Sequence, residues 1–158
     1  MMSIPPDEDL TLLFTALHAA ADAAVLARVV AAGYPDIRVA HGYVFQHLVE
    51  GPMRISDLAH KLGMTPQGAS KLVVDLEGRG YVWRRADPDD HRNRFVELTE
   101  RGWGSIAAGR AARAAVTAEW RAVLGDAAAD DVIAALQRLA AHTGGMRELL
   151  ARRLRPRH

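Results

Sequence analysis

The stretch "MRISDLAHKLGMTPQGASKLVVDLEGRGYV", residues 53–82, constrains the fold more than any other part of the chain. Ser56 is a natural N-cap for a short helix through Leu62, Gly63 suits a C-terminal stop, and Thr65 followed by Pro66 opens a second helix with proline at its favoured first position. Two helices are thus joined by a turn of about three residues, the spacing of a helix-turn-helix. Small Ala59 lets the pair approach, and Ala69, Leu72 and Leu76 are expected to face inward. Spacing alone also permits a plain helical hairpin inside an all-α core.

The next residues decide between the two. "YVWRR" and "RFVELT" are short β-prone segments on either side of a loop rich in Pro, Asp and Asn, so they predict a hairpin. A hairpin directly after the second helix makes a winged helix-turn-helix. Before it, Leu10, Leu13, Phe14, Leu17, Ala21, Ala24 and Val25 recur at helical period between Asp7 and about Ala32, with acids in the first turn, and Gly33 is a plausible stop. Ile37 to Val49 gives a second helix ended by "EGP". After it, residues 99–153 read as helix with a break at Gly125. There Val132, Ile133, Leu136, Leu139, Ala140, Met146, Leu149 and Leu150 form an apolar stripe that must pack on the first helix or on a second copy. The expected fold is mainly α with a small β-hairpin wing: two helices, a short strand, two helices, two strands, two helices.

Composition removes several function classes. With 49% apolar residues, the 158-residue chain can build a core. The lack of cysteine excludes disulfides, thiol catalysis and cysteine-based metal or redox sensing. No run of about 18 uncharged apolar residues is present, and "MMSIPPDEDL" lacks the order of a secretory signal, so a cytoplasmic protein is expected. Twenty basic against 19 acidic residues give a net charge of +1, so a polyanion partner has to be argued from local placement. There is no Gly-x-Ser-x-Gly elbow and no phosphate-binding glycine loop, so catalysis has no visible carrier and no enzyme is expected. Among the seven histidines no His-x-x-x-His or Glu-x-x-His pair occurs, and no metal or cofactor is expected.

The order of elements, the helix-turn-helix stretch and the charged loop "DPDDHRNRFVELTERG" together resemble the MarR family of bacterial transcription regulators, over roughly residues 8 to 150. The most specific match is in the wing, where Asp-x-Arg reads Asp90-His91-Arg92 and the closing motif reads Leu98-Thr99-Glu100-Arg101-Gly102. The resemblance implies a single chain unit over residues 1–158. Within it, a DNA-binding lobe spans 36–100 and a helical dimerisation region spans 7–33 and 101–153. It also implies a homodimer on a pseudo-palindromic operator, and a small-molecule effector pocket between the dimer helices and the DNA-binding lobe.

Thr65, Gln67, Gly68, Ser70 and Lys71 are then the outward residues at the start of the recognition helix. Gln67 can pair with adenine, Lys71 can reach guanine or phosphate, and Ser70 can serve either. Gly68 costs about 1 kcal/mol of helix propensity against alanine, which close approach to DNA would offset. In the wing, the resemblance puts Arg92 in the minor groove, oriented by Asp90, and a planar guanidinium suits that narrow electronegative groove. Arg94 and Arg84 are further wing contacts. His41, Trp103 and Arg110 are candidates for the effector pocket.

Two positions depart from the family pattern. Asp75 stands where a base is common and is expected to pair with Lys71 one turn away, and His91 replaces a frequent arginine. Trp83 is expected to pack on Phe95 or Val96 across the hairpin rather than serve as a stacking platform for bases. The basic end "RRLRPRH" offers sequence-independent phosphate contacts or simply frays. The expected function is a ligand-responsive repressor that binds DNA as a homodimer. The alternative is a winged-helix module for protein contacts without specific DNA binding, favoured by Asp75.

Overall fold

The computed structural model describes residues 5–86 and 94–151. Two long helices, α1 (Leu10–Ala31) and α5 (Glu100–Leu124), pack side by side. From them hangs a lobe built of α2 (Val39–Leu48), β1 (Met53–Arg54), α3 (Ile55–Leu62), α4 (Pro66–Gly78), β2 (Val82–Ala86) and β3 (Arg94–Leu98). α6 (Asp126–His142) and α7 (Gly145–Leu150) follow α5. The three strands form an antiparallel sheet in the order β1-β3-β2, with Met53 opposite Val96 and Val82 opposite Leu98. The expected winged helix-turn-helix is therefore present.

Local chemistry accounts for the boundaries. Asp9 lies just before α1 as its cap, accepting from the N–H groups of Thr11 and Leu12, so the acids at Asp7 and Glu8 precede the helix rather than fill its first turn. Gly63 ends α3 in the left-handed conformation at φ 65°, and Thr65 Oγ1 accepts from Gly68 N–H at 3.1 Å to start α4, with Pro66 first in the helix. The expected N-cap at Ser56 is displaced. Arg54 holds the cap position because pairing of β1 with Phe95 keeps residues 53–54 extended, and helix begins at once after it. Gly125 breaks α5 from α6 as expected, but the last helix is divided again at Gly144, whose φ of 75° α-helix cannot accommodate.

The core lies in the lobe. Val44, Leu58, Val73, Leu76, Tyr81 and Val96 are fully buried there, and Ala59 and Ala69 are buried at the crossing of α3 and α4. Leu72, expected inside, is only partly buried, since Val73 points straight into the lobe and Leu72 lies at its margin. Trp83 faces Glu97 across the hairpin and is 50% exposed; Phe95 pairs with Arg85 instead and lies under the Arg54 guanidinium.

Outside the lobe, apolar surface stays open. Leu10, Leu12, Leu13, Phe14 and Leu17 on α1, Val123 and Leu124 on α5, and Val132, Ile133, Leu136 and Leu139 on α6 are exposed. An 18-residue window of α1 has mean hydropathy 1.7, long and apolar enough to cross a membrane by length and composition, although Asp22 and Arg28 lie within the helix. A stripe this large calls for cover.

Candidate nucleic-acid interface

α4 carries the candidate contact face, and its amphipathic pattern fixes which residues it shows. Ala69, Val73 and Leu76 anchor it in the core, leaving Thr65, Gln67 and Lys71 exposed and Gly68 and Ser70 half-buried. Lys71 has no ion-pair partner among the described residues, so its ammonium is free for an outside acceptor. Gly68 has a reason within the chain: a Cβ there would come within 3.2 Å of Thr65 Oγ1, the atom that caps the helix. The expected link between Asp75 and Lys71 does not form. Asp75 binds Arg79 bidentately, at 2.9 Å to each carboxylate oxygen, because an acid placed four residues before a base is the favoured order on a helix. Hydrogen bonding to Arg79 holds the Asp75 carboxyl below its ordinary value. The negative charge that departed from the expected pattern is thus turned inward and neutralised.

Arg84 is likewise engaged. Its Nε donates to Glu77 Oε2 at 2.8 Å and its backbone N–H to Glu77 Oε1 at 3.2 Å, so it ties the wing to the end of α4. Arg85 pairs with Glu97 at 2.8 Å across the hairpin. Arg94 opens β3 opposite Ala86 and is exposed. Asp90, His91 and Arg92 lie outside the described residues, as does the basic end after Ala151.

A polar corner joins the wing to α5. Thr99 accepts from Gly102 N–H at 3.0 Å as the cap of α5, donates its hydroxyl to Gly80 O at 2.6 Å, and its backbone N–H reaches Tyr81 O at 3.1 Å. Gly102 fits because a Cβ there would collide with the Tyr81 carbonyl. This explains the closing motif Leu-Thr-Glu-x-Gly in physical terms. Beside it, Tyr81 donates its hydroxyl to Asp36 at 2.6 Å and Arg101 lies 3.2 Å from the same carboxylate oxygen. Burial first, then Asp36, pushes the Tyr81 phenol up to about 12.

A cavity of about 340 Å³ lies between α1, α2 and α5. Val25, Val29, Val39, Phe45, Val49 and Ile106 give it apolar walls, and Asp22, Arg38, Gln46, Arg110 and Arg113 bring polar groups to it. Of the three pocket candidates only Arg110 lines it. His41 is buried on the α4 side of α2, and Trp103 is exposed: it lies on the same side of α5 as Arg110 but two turns nearer the helix N-terminus, short of the lining residues, which begin at Ser105. Arg38 and Arg113 were missed because the cavity is made by three helices distant in sequence. Among the described residues there is no cluster of three or more groups suited to a metal ion.

Helices, sheet and wing define a winged helix-turn-helix protein. Residues 36–93 match the family model described as the MarR family. Solved structures agree in fold. YusO from Bacillus subtilis is 20% identical with TM-score 0.68, covering 86% of this chain and 93% of that one. The transcriptional repressor CouR bound to a 23-mer DNA duplex is 21% identical with TM-score 0.63, covering 88% and 99%. CouR from Rhodococcus jostii RHA1 bound to p-coumaroyl-CoA is 24% identical with TM-score 0.58, covering 87% and 96%. No curated protein matches the sequence.

Proposed function

We propose that this chain is a cytoplasmic transcription regulator of the MarR kind that binds duplex DNA as a homodimer and answers to a small-molecule effector; it is not an enzyme. Residues 36–100 are the DNA-reading lobe, and 7–33 with 101–153 are the dimerisation region. The observation that carries this is the face of α4, with Gln67 and Lys71 exposed at a capped N-terminus while Ala69, Val73 and Leu76 hold the helix in the lobe. The open apolar residues of α1 and α6 supply what a second copy would cover. Two recognition helices about 34 Å apart would then read a pseudo-palindrome.

Gln67, Ser70 and Lys71 read bases and phosphates, Arg92 enters the minor groove with Asp90 orienting it, and Arg94 meets a flanking phosphate. Arg84 holds the wing against Glu77 and acts as its support. The cavity beside Arg110 is the effector site, in keeping with the p-coumaroyl-CoA complex of CouR. Repression follows from a dimer covering its operator. The protein-contact alternative loses its main support, since Asp75 is paired with Arg79. Selection of bound fragments from a random DNA pool tests the proposal: an inverted repeat with an affinity falling steeply in salt is expected, and enrichment of no sequence would overturn it.

A further inference from the structure

We infer that His41 is a positioning residue whose imidazole couples the α2 wall of the cavity to the recognition helix through Asp75. The coupling rests on α4 being the DNA-contacting helix. His41 is 1% exposed, although polar. Its Nδ1 accepts from Arg38 N–H at 3.2 Å, closing the first turn of α2 as the third-position Glu or Gln of a capping box does. A nitrogen that accepts carries no proton, so the neutral ring bears its proton on Nε2. Nε2 faces Asp75 Oδ2 at 3.5 Å. Arg79, which grips Asp75, also donates to Asp36 O at 3.2 Å, so the chain entering α2 and α2 itself hold one face of α4. Arg38 at the cap of α2 and Gly42 and Phe45 within it line the cavity, and the rings of Phe45 and His41 lie 6.5 Å apart. Whatever displaces α2 from the cavity side therefore pulls on Asp75 directly.

The coupling needs the neutral ring. A second proton would place an N–H on Nδ1 against the Arg38 N–H and break the cap. Burial opposes that proton most strongly, Asp75 favours it, and Arg79 and Arg38 oppose it, so the pKa of the ring is held below its ordinary 6.5.

Nitrogen NMR of the His41 ring and operator affinity, measured on wild type, His41→Asn, Asp75→Asn and the double variant, test this. Asn at 41 keeps an acceptor near the Nδ1 position and loses the atom facing Asp75. A neutral ring protonated on Nε2 at neutral pH is expected, with resonances that move in Asp75→Asn. Each single variant should weaken affinity for the selected duplex about fivefold or more, and the double should be no weaker than the worse single, the mark of one shared contact. Urea unfolding at fixed protein concentration separates stability from affinity. A ring protonated on Nδ1, additive losses, or lost stability with unchanged affinity would overturn the inference. If wild type selects no duplex, the DNA reading fails by itself. The ring resonances then still decide the link, supporting it if they answer to Asp75→Asn and overturning it if they do not.

Discussion

Gly102→Ala tests the corner between wing and α5. A Cβ at this position would stand 3.0 Å from Leu98 Cδ2 and 3.3 Å from the Tyr81 carbonyl carbon, and nearer still to that carbonyl's oxygen. Neither neighbour is a flexible tip. Leu98 is 5% exposed, and Tyr81 O already accepts from Thr99 N–H. The first turn of α5 would have to withdraw by about 1 Å to restore ordinary contact. That withdrawal strains the bonds from Thr99 N–H to Tyr81 O and from the Thr99 hydroxyl to Gly80 O, each worth about 1 kcal/mol. Overpacking costs by itself run to about 1 to 3 kcal/mol. Alanine returns about 1 kcal/mol of helix propensity. The expected net loss is about 2 to 3 kcal/mol, or roughly 5 to 10 °C in Tm for a chain of this size. Urea and thermal unfolding followed by circular dichroism measure it, at one protein concentration because the proposed dimerisation would add to stability. Gly109→Ala is the control: its Cβ would meet nothing nearer than Arg113 Nη1 at 3.7 Å, and a gain of up to about 1 kcal/mol is expected. Equal or greater stability in Gly102→Ala would refute the steric account of the motif.

Lys71→Ala should weaken binding to all sequences alike and reduce the slope of log affinity against log salt by about 1, read by fluorescence anisotropy across a salt series. Arg92→Ala should cost on the order of 1 to 3 kcal/mol and relax preference for A·T pairs at the flanks of the selected site, so an unchanged site preference would remove the wing from DNA reading. Thr65→Ala removes the cap bond to Gly68 N–H and should lower stability by about 1 kcal/mol in urea unfolding. Because folding raises the Tyr81 phenol from 10.0 to about 12, stability is fully present below pH 10 and lost as pH rises toward 12. Ultraviolet titration of wild type against Tyr81→Phe should show a phenol that ionises well above 10 in the wild type alone.

What was legible in the sequence was local. Gly63, Thr65 and Pro66 announce the turn because capping acts within four residues, and Thr99 and Gly125 mark the ends of α5 for the same reason. Ser56 misled because a two-residue strand pairing with Phe95, far along the chain, claims the position before it. Leu72 and Val73 differ by 100° on one helix, and only the packing of α3 shows which one is inside. Arg79 was the better partner for Asp75 by spacing and order, a signal open to sequence reasoning and overlooked. Trp83 depends on hairpin register, which the loop between the strands sets. The cavity was the least legible feature, since Val25, Arg38 and Arg113 meet only when three helices assemble.

The corner at Thr99 gives α5 the mechanics of a crank. Gly80, Tyr81 and Gly102 are all pinned to one threonine, so the end of α4, the root of the wing and the base of α5 turn as one piece. The 25 residues of α5 make an arm about 37 Å long. In the proposed homodimer, where a second copy would hold the far end of that arm, a tilt of about 5° there would swing the pinned corner by about 3 Å, close to one base-pair step of duplex DNA. In the proposed regulator, such a swing would take the reading head off its operator with every part of it still folded.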